Sequence, residues 1–136
     1  FYAFNPLAGG LLTGKYNASD DKPVKGTRFD RNRMYQSRYW MDSYFKAVNQ
    51  LRTVLDEYNK DKDQKITMAE AAVRWCQYHS KMDGDKEDAI IIGQSSMDHL
   101  KLNMTACIAG PLPEEIVDVF NQGWETCKAD VPKYFR

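Results

Sequence analysis

A chain of 136 residues is long enough for one hydrophobic core, and 43% hydrophobic with 28% charged residues is the balance of an ordinary globular domain. Nineteen basic side chains balance nineteen acidic ones, which excludes a strong basic field that would collect nucleic acid or an anionic membrane. No apolar run approaches the roughly 18 residues of a membrane span, and the three scattered cysteines favour neither a disulfide framework nor a zinc site. We therefore expect a soluble, cytoplasmic protein with no nucleic-acid partner, no membrane and no metal.

The first predicted element is a strand at residues 1–4, which is aromatic, does not alternate with polar residues and is stopped by Asn5-Pro6. Such a pattern is typical of a parallel strand that is buried on both faces. Glycine, proline and polar residues then predict a long loop from residue 7 to about residue 35, and long loops inside compact domains usually carry function. Apolar side chains that recur at three- and four-residue steps predict an amphipathic helix over residues 39–58.

The second half of the chain is predicted from its helix caps and one more strand. Thr67 and Glu70 form a capping box, in which the Thr67 hydroxyl accepts a backbone N–H and Glu70 reaches back, so a helix should run to about residue 79. The β-branched run at residues 89–92 predicts a second buried parallel strand. Ser95 or Ser96 can cap a third helix, which should end near residue 108.

Pro113 and the acids that follow it open a fourth helix. The two predicted strands cannot close a parallel sheet by themselves, because their outer edges would leave backbone groups unpaired. We expect the missing strands to come from residues that precede position 1 in a longer parent polypeptide.

Two segments with a preference for anions follow the two predicted strands. The sequence Asn5-Pro-Leu-Ala-Gly-Gly-Leu-Leu-Thr-Gly-Lys15 leaves the strand edge at which parallel α/β proteins bind ligands, and its glycines and Lys15 suit a phosphate. Its spacing matches neither the Walker A nor the GxGxxG motif, and a turn with no ligand is the alternative. The segment from Gly93 to Asn103 opens a helix, whose free amides and dipole also favour an anion. Together the segments indicate a phosphate-rich ligand.

Several segments, in the same order, closely resemble the aldo-keto reductases, and within them the aflatoxin aldehyde and succinic semialdehyde reductases. These segments are FYAFNPLAGGLLTGKY at the start, MYQSRYW from Met34, AVRW from Ala72, IIG from Ile91 with Ser95, Leu100 and Asn103, and the ending Tyr134-Phe-Arg136. The resemblance implies an α/β fold and makes residues 1–136 the C-terminal half of an NADP-dependent oxidoreductase domain. The chain would then be the C-terminal part of a (β/α)8 TIM barrel, with strands 7 and 8 and their helices.

The resemblance further implies a binding site for NADPH or NADP+. Phe4 would stack on the nicotinamide, although core packing is the commoner role of a strand aromatic, and Arg28 would reach the phosphates at the adenosine end. The implied cofactor-binding residues are Phe4, Asn5, Pro6, Leu7, Ala8, Gly9, Gly10, Lys15, Arg28, Gly93, Ser95, Ser96, His99 and Asn103. Family members often carry basic side chains at positions 93 and 99 and an acid or amide at position 102. This chain has Gly93, His99 and Leu102 at these positions instead. Binding of the 2′-phosphate would then depend more on Lys15 and Arg28, which weakens the expected preference for NADPH over NADH.

Tyr35, Arg38 and Arg136 match positions that line the substrate pocket in the similar subfamily, where a guanidinium suits a carboxylate or a dicarbonyl. Solvated surface charges are the alternative for the two arginines. The similar family uses a Tyr proton donor whose pKa is lowered by a Lys, with an Asp and a His nearby. These four residues belong to strands that precede position 1, so we assign no catalytic residue to this chain.

The expected function is therefore that of a parent enzyme, which reduces a small-molecule aldehyde or ketone with hydride from NADPH. This chain alone would be inactive because it lacks the proton donor. The alternatives are an NADPH-sensing regulatory subunit similar to the potassium-channel β subunits and an inactive truncated fragment. The sequence leaves a homodimer open.

Overall fold

The computed structural model describes residues 1–133, which form a strand pair and five α-helices. In chain order the elements are β1 (Tyr2–Phe4), α1 (Arg33–Tyr39), α2 (Asp42–Tyr58), α3 (Met68–Tyr78), β2 (Ala89–Ile91), α4 (Met97–Ile108) and α5 (Glu114–Cys127). Short 3-10 turns lie at Ala8–Thr13 and Gly84–Lys86. Among these described elements, no helix combines the length and apolarity that a membrane crossing requires.

The two strands pair in parallel, as the sequence predicts. Tyr2 lies opposite Ala89 and Phe4 lies opposite Ile91. Because both strands run in the same direction, the segments that follow Phe4 and Ile91 leave the sheet at the same edge. The glycine-rich loop and the segment before α4 are therefore neighbours, which is the placement on which the anion-site hypothesis depends.

The predicted burial of both strands on both faces is wrong for the described chain. The residues Tyr2 and Phe4 are each 64% exposed, and Ile91 is 54% exposed. The physical reason is that residues 1–133 provide only two strands and no layer that covers them, while the helices pack mainly on one another. The apolar strand faces are consequently left to solvent.

The hydrophobic core lies among the helices and the long loop. Helix α2 packs along α5, and α3 packs against α4. The buried apolar residues of the cluster are Leu11, Tyr16, Phe29, Phe45, Val48, Leu51, Leu55, Ile66, Met68, Ala71, Leu112, Ile116 and Val119. Helix α2 thus presents its predicted apolar stripe to the core along most of its length.

The single helix predicted over residues 39–58 is wrong at its start. Helix α1 ends at Tyr39, and the chain is extended at Met41 before α2 begins. Trp40 is held in the break, because its indole Nε1 donates to the Ser19 carbonyl at 2.7 Å and its ring packs 4.9 Å from the Phe29 ring. Long-range packing of this tryptophan has overridden the local helical pattern.

The helix caps follow the prediction closely. The Thr67 hydroxyl accepts the Glu70 N–H at 3.1 Å, and Ser96, rather than Ser95, caps α4 by accepting the His99 N–H at 3.2 Å. The second hydrogen bond of the predicted capping box, in which Glu70 would reach back to the Thr67 N–H, is not among the hydrogen bonds of the described residues. The Glu70 carboxylate instead accepts from the Arg74 guanidinium at 2.8 Å.

Candidate functional site

A cleft of about 310 Å³ lies at the edge where both strands end. Its walls come from the end of β1, the glycine-rich loop, the long loop, α1 and the end of β2. The lining residues are Phe4, Asn5, Pro6, Leu7, Gly9, Gly10, Arg28, Tyr35, Ile91, Ile92 and Gly93. All of them except Ile91 and Ile92 are predicted site residues, so the fold brings together segments that are far apart in sequence.

Asn5 fixes the turn that follows β1. Its backbone adopts a left-handed conformation with φ 62°. Its side-chain oxygen accepts the Gly9 N–H at 3.1 Å, and its side-chain nitrogen donates to the Tyr39 hydroxyl at 2.9 Å. Both polar ends of Asn5 are thus used inside the protein, which makes this residue a support of the loop as well as a part of the cleft wall.

Gly9 is required by its surroundings as well as by its backbone. Its φ is +70°, and a Cβ at this position would lie 2.8 Å from Cδ1 of Tyr35 and 3.3 Å from Cζ of Phe29. Real Cβ atoms essentially never approach another atom to 2.8 Å, and 3.3 Å is tighter than most of their contacts. The close fit lets the Tyr35 ring rest directly on the glycine backbone at the cleft wall.

Gly10, its neighbour, has a φ of +107° and open space where a Cβ would be. Its backbone therefore borders the cleft without a side chain above it. A ligand could approach this backbone closely, as a phosphate group does in glycine-rich loops.

Arg28 reaches across the cleft from the long loop. Its Nη1 donates to the Tyr35 hydroxyl at 2.8 Å, and its guanidinium carbon lies 5.6 Å from the centre of the Tyr35 ring. A Cβ on Gly93 would lie 3.9 Å from Nη2 of Arg28. An exposed cation with several free donors thus stands beside the end of β2, where it can bind an anion.

The start of α4 follows the cleft along the chain, but its predicted residues do not line the cleft. Ser95 Oγ lies 3.2 Å from Nδ1 of His99, and Ser96 is occupied as the helix cap. Asn103 lies further along the helix and is 8% exposed. The first-turn amides favour an anion, whereas the carboxylate of Asp98 in the same turn opposes one.

Lys15 is also not among the cleft residues. It is exposed, and the residues on either side of it are tied to α2, because Arg52 donates to the carbonyls of Gly14 and Tyr16 at 3.3 and 2.9 Å. The fold therefore holds the backbone at Lys15 on α2. Its contact with a bound phosphate stays a prediction.

Arg38 lies on α1 but does not line the cleft. It is near Tyr44, where burial raises the pKa of the Tyr44 hydroxyl to about 12 and the Arg38 charge acts in the opposite direction. Arg136 lies outside the described residues. Of the two predicted substrate residues that the structure describes, Tyr35 lines the cleft and Arg38 does not.

A family comparison matches residues 1–125 to the model of the Aldo/keto reductase family. The chain belongs to the aldo/keto reductase family. It is 40% identical, over its whole length, to human aldo-keto reductase family 7 member A3 and 39% identical to rat aflatoxin B1 aldehyde reductase member 2. It is also 38% identical, over 99% of its length, to an aldo-keto reductase of Pseudocercospora fijiensis.

The aldo/keto reductase chain spans less than half the length of these relatives. It covers 42% of the human protein, 38% of the rat protein and 45% of the fungal protein. The family implies a (β/α)8 barrel, and the described residues form a helix-rich α/β fragment with two parallel strands.

Sequence reasoning missed three residues that shape this aldo/keto reductase cleft. Ile91 and Ile92 line it directly, and Tyr39 holds Asn5. A signal existed for the isoleucines, since the residues just before a strand-end glycine stand at the ligand edge. Tyr39 had a weaker signal, because it lies one helical turn after Tyr35 and shares its helix face.

A larger depression of about 500 Å³ lies between residues 17–19 and α2. It contains none of the predicted site residues. Within the described chain, no group of three or more His, Cys, Asp or Glu side chains could hold a metal ion. The imidazole of His79 is engaged elsewhere, since its Nε2 accepts the Leu112 N–H at 2.8 Å.

Proposed function

We propose that this chain is the cofactor-binding, C-terminal part of an aldo/keto reductase that uses NADPH to reduce aldehydes or ketones to alcohols. The observation that carries the proposal is the cleft at which both strand ends and Arg28 meet. In parallel α/β folds, ligands bind at this edge of the sheet. Family membership supports the reaction class.

The donor set of the cleft fits a phosphate-bearing dinucleotide. Arg28 supplies a charged fork, and the open backbone at Gly10 lets a phosphate approach closely. The ring of Phe4 is 64% exposed at the cleft, which leaves one face free to stack on the nicotinamide. The first-turn amides of α4 and, at longer reach, Lys15 complete the proposed phosphate contacts.

The bound cofactor would supply the hydride, and the described residues would bind and orient it. Phe4 would fix the nicotinamide plane, while Arg28 would hold the charged end so that the ring stays in one position. The apolar side chains Ile91 and Ile92 would keep water from that wall of the cleft. We propose that the proton donor comes from the part of the polypeptide outside this chain.

The exposed strands support the proposal that this chain is the C-terminal part of a barrel. Within the described residues both strands have a free outer edge, and Tyr2, which does not line the cleft, is 64% exposed. Further parallel strands would pair these edges and cover Tyr2, as strands 1 to 6 of a barrel would do.

The substrate class proposed is an aldehyde or ketone that carries a second carbonyl or a carboxylate. Four of the relatives are named aflatoxin B1 aldehyde reductase, which favours an aldehyde. Tyr35 at the cleft supports a pocket beside the nicotinamide, and Arg38 and Arg136 are proposed to bind the carboxylate or carbonyl oxygens.

The experiment is a pair of measurements on the complete polypeptide that contains this chain. The first is NADPH consumption with short aldehydes, which the proposal expects to be steady. The second is the NADPH dissociation constant of the Arg28→Gln variant, which should rise at least about fivefold because a charge-assisted phosphate contact is lost. The matched control is Arg33→Gln, which removes an exposed arginine outside the cleft and should leave the constant unchanged.

Three results would contradict the proposal. Failure to bind NADPH would reject the cofactor site, and equal constants for both variants would reject the role of Arg28. Tight NADPH binding without consumption of NADPH by any aldehyde or ketone would reject the reductase and favour a regulatory subunit.

A further inference from the structure

Tyr35 links three of the segments that line the cleft, two by direct contact and the third through Arg28. Its hydroxyl accepts from Arg28 of the long loop, and its ring rests on Gly9 of the glycine-rich loop. The guanidinium that it holds lies beside Gly93 at the end of β2. One tyrosine thus links the segments that the proposed function assigns to the cofactor.

We propose that Tyr35 is a positioning residue for Arg28, which it holds across the cleft so that the guanidinium is in place for a cofactor phosphate before the cofactor binds. The inference rests on the proposed function and adds a role to it. The substrate contact proposed for Tyr35 is a separate role, because it predicts a change in KM for the aldehyde and not in the binding of NADPH.

Tyr35 can position another side chain because its own position is fixed. Its backbone N–H donates to the Asn32 side chain at 3.2 Å, which caps α1. Its ring lies 6.3 Å from the Phe29 ring, edge to face, and 5.9 Å from the Tyr39 ring. Phe29 is fully buried, so the ring is anchored to the core of the protein.

Arg28, in contrast, is exposed and stands on a loop without helix or strand structure. A long, exposed arginine loses conformational entropy when it binds a ligand, and that loss weakens binding. The hydrogen bond to the fixed Tyr35 hydroxyl restricts the guanidinium in advance. The remaining N–H donors of Arg28 stay available for the anion, because Tyr35 engages only Nη1.

The test is a double-mutant cycle on the complete polypeptide with Tyr35→Phe, Arg28→Ala and the double variant. The dissociation constant of NADPH is measured for each protein by titration calorimetry. Tyr35→Phe keeps the ring and removes the hydroxyl, so the constant should rise about three- to tenfold. Arg28→Ala should raise it at least as much, and the double variant should bind no more weakly than Arg28→Ala.

The matched control is Tyr78→Phe. This hydroxyl donates to the Cys107 carbonyl at 2.6 Å, so the same chemical group is removed from a partially exposed tyrosine outside the cleft. Its NADPH dissociation constant should stay within about twofold of the wild type. Steady-state kinetics provide a second reading: Tyr35→Phe should raise KM for NADPH by a larger factor than KM for the aldehyde.

Several outcomes would overturn the inference while the proposed function stands. One is a Tyr35→Phe variant that binds NADPH as the wild type does while Arg28→Ala binds weakly. Another is a double variant in which the two effects multiply, because Tyr35 would then act without Arg28 or through a general loss of fold. A change confined to KM for the aldehyde would assign Tyr35 to the substrate alone. The proposed function itself would fail differently, through a wild-type protein that neither binds nor consumes NADPH.

Discussion

Substitution of Gly9 by alanine tests the packing between the glycine-rich loop and Tyr35. Two effects add in this variant. A residue other than glycine at a φ of +70° costs about 1–2 kcal/mol, and forcing a methyl group into a filled space costs about 1–3 kcal/mol more. The space is filled, because the new Cβ would lie 2.8 Å from the Tyr35 ring. We therefore expect a loss of about 2–5 kcal/mol in the free energy of unfolding.

Gly14 provides the matched control. Its φ of +75° is nearly the same, but the nearest atom to an added Cβ is the flexible Met68 side chain at 3.7 Å. Gly14→Ala should therefore show only the backbone strain of about 1–2 kcal/mol. The assay is urea unfolding of the complete polypeptide, followed by tryptophan fluorescence, with the NADPH dissociation constant measured alongside.

The difference between the two variants isolates the contact with Tyr35. Gly9→Ala should be less stable than Gly14→Ala by about 1–3 kcal/mol and should also bind NADPH more weakly, because it displaces Tyr35 and with it Arg28. Equal stability losses, together with equal NADPH affinity, would refute the reasoning.

Two further predictions concern side chains outside the cleft. Arg74→Met should destabilise the protein by about 2–4 kcal/mol, because it breaks the pair with Glu70 and leaves two backbone carbonyls without their donor. The control Lys128→Met, which removes an exposed ion pair, should change stability by less than about 0.5 kcal/mol. Similar losses for both variants in urea unfolding would contradict this prediction. Burial raises the pKa of the Cys76 thiol from 9.0 to about 11, so alkylation at pH 8, read by mass spectrometry, should be roughly 100-fold slower in the folded protein than in urea and should rise with pH. Equal rates in the two states would show that the thiol is not protected.

The sequence was most informative where structure depends on neighbours in the chain. The cap of α3 at Thr67 and the cap of α4 at Ser96 form through hydrogen bonds that span three residues, so their residue types predict them. The parallel strand order was also predictable, because two unalternating apolar runs, separated by helices, favour a parallel sheet.

The errors arose where distant residues decide the local structure. The helix break after Tyr39 depends on Trp40, which reaches a carbonyl at Ser19 that no periodic pattern reveals. The composition of the two strands predicted that their faces are buried. Composition shows that a face is apolar, but it does not show whether this chain contains the residues that pack on it.

The candidate site divides in the same way. The glycine-rich loop was identified from its residues, and Gly9 and Gly10 line the cleft. The placement of Arg28 beside Gly93 could not be derived from spacing, since it depends on the packing of a long loop around Phe29. Lys15 illustrates the opposite case, because its type suits a phosphate while its backbone is held on α2.

The central claim is that the segments after β1 and β2 bind one dinucleotide together. Amide hydrogen exchange of the complete polypeptide, with and without saturating NADP+, tests it directly. The account predicts slower exchange in both residues 5–14 and residues 93–99, and no change in the exposed turn at residues 60–65. Protection of only one of the two strand-end segments, or of neither, would contradict the account.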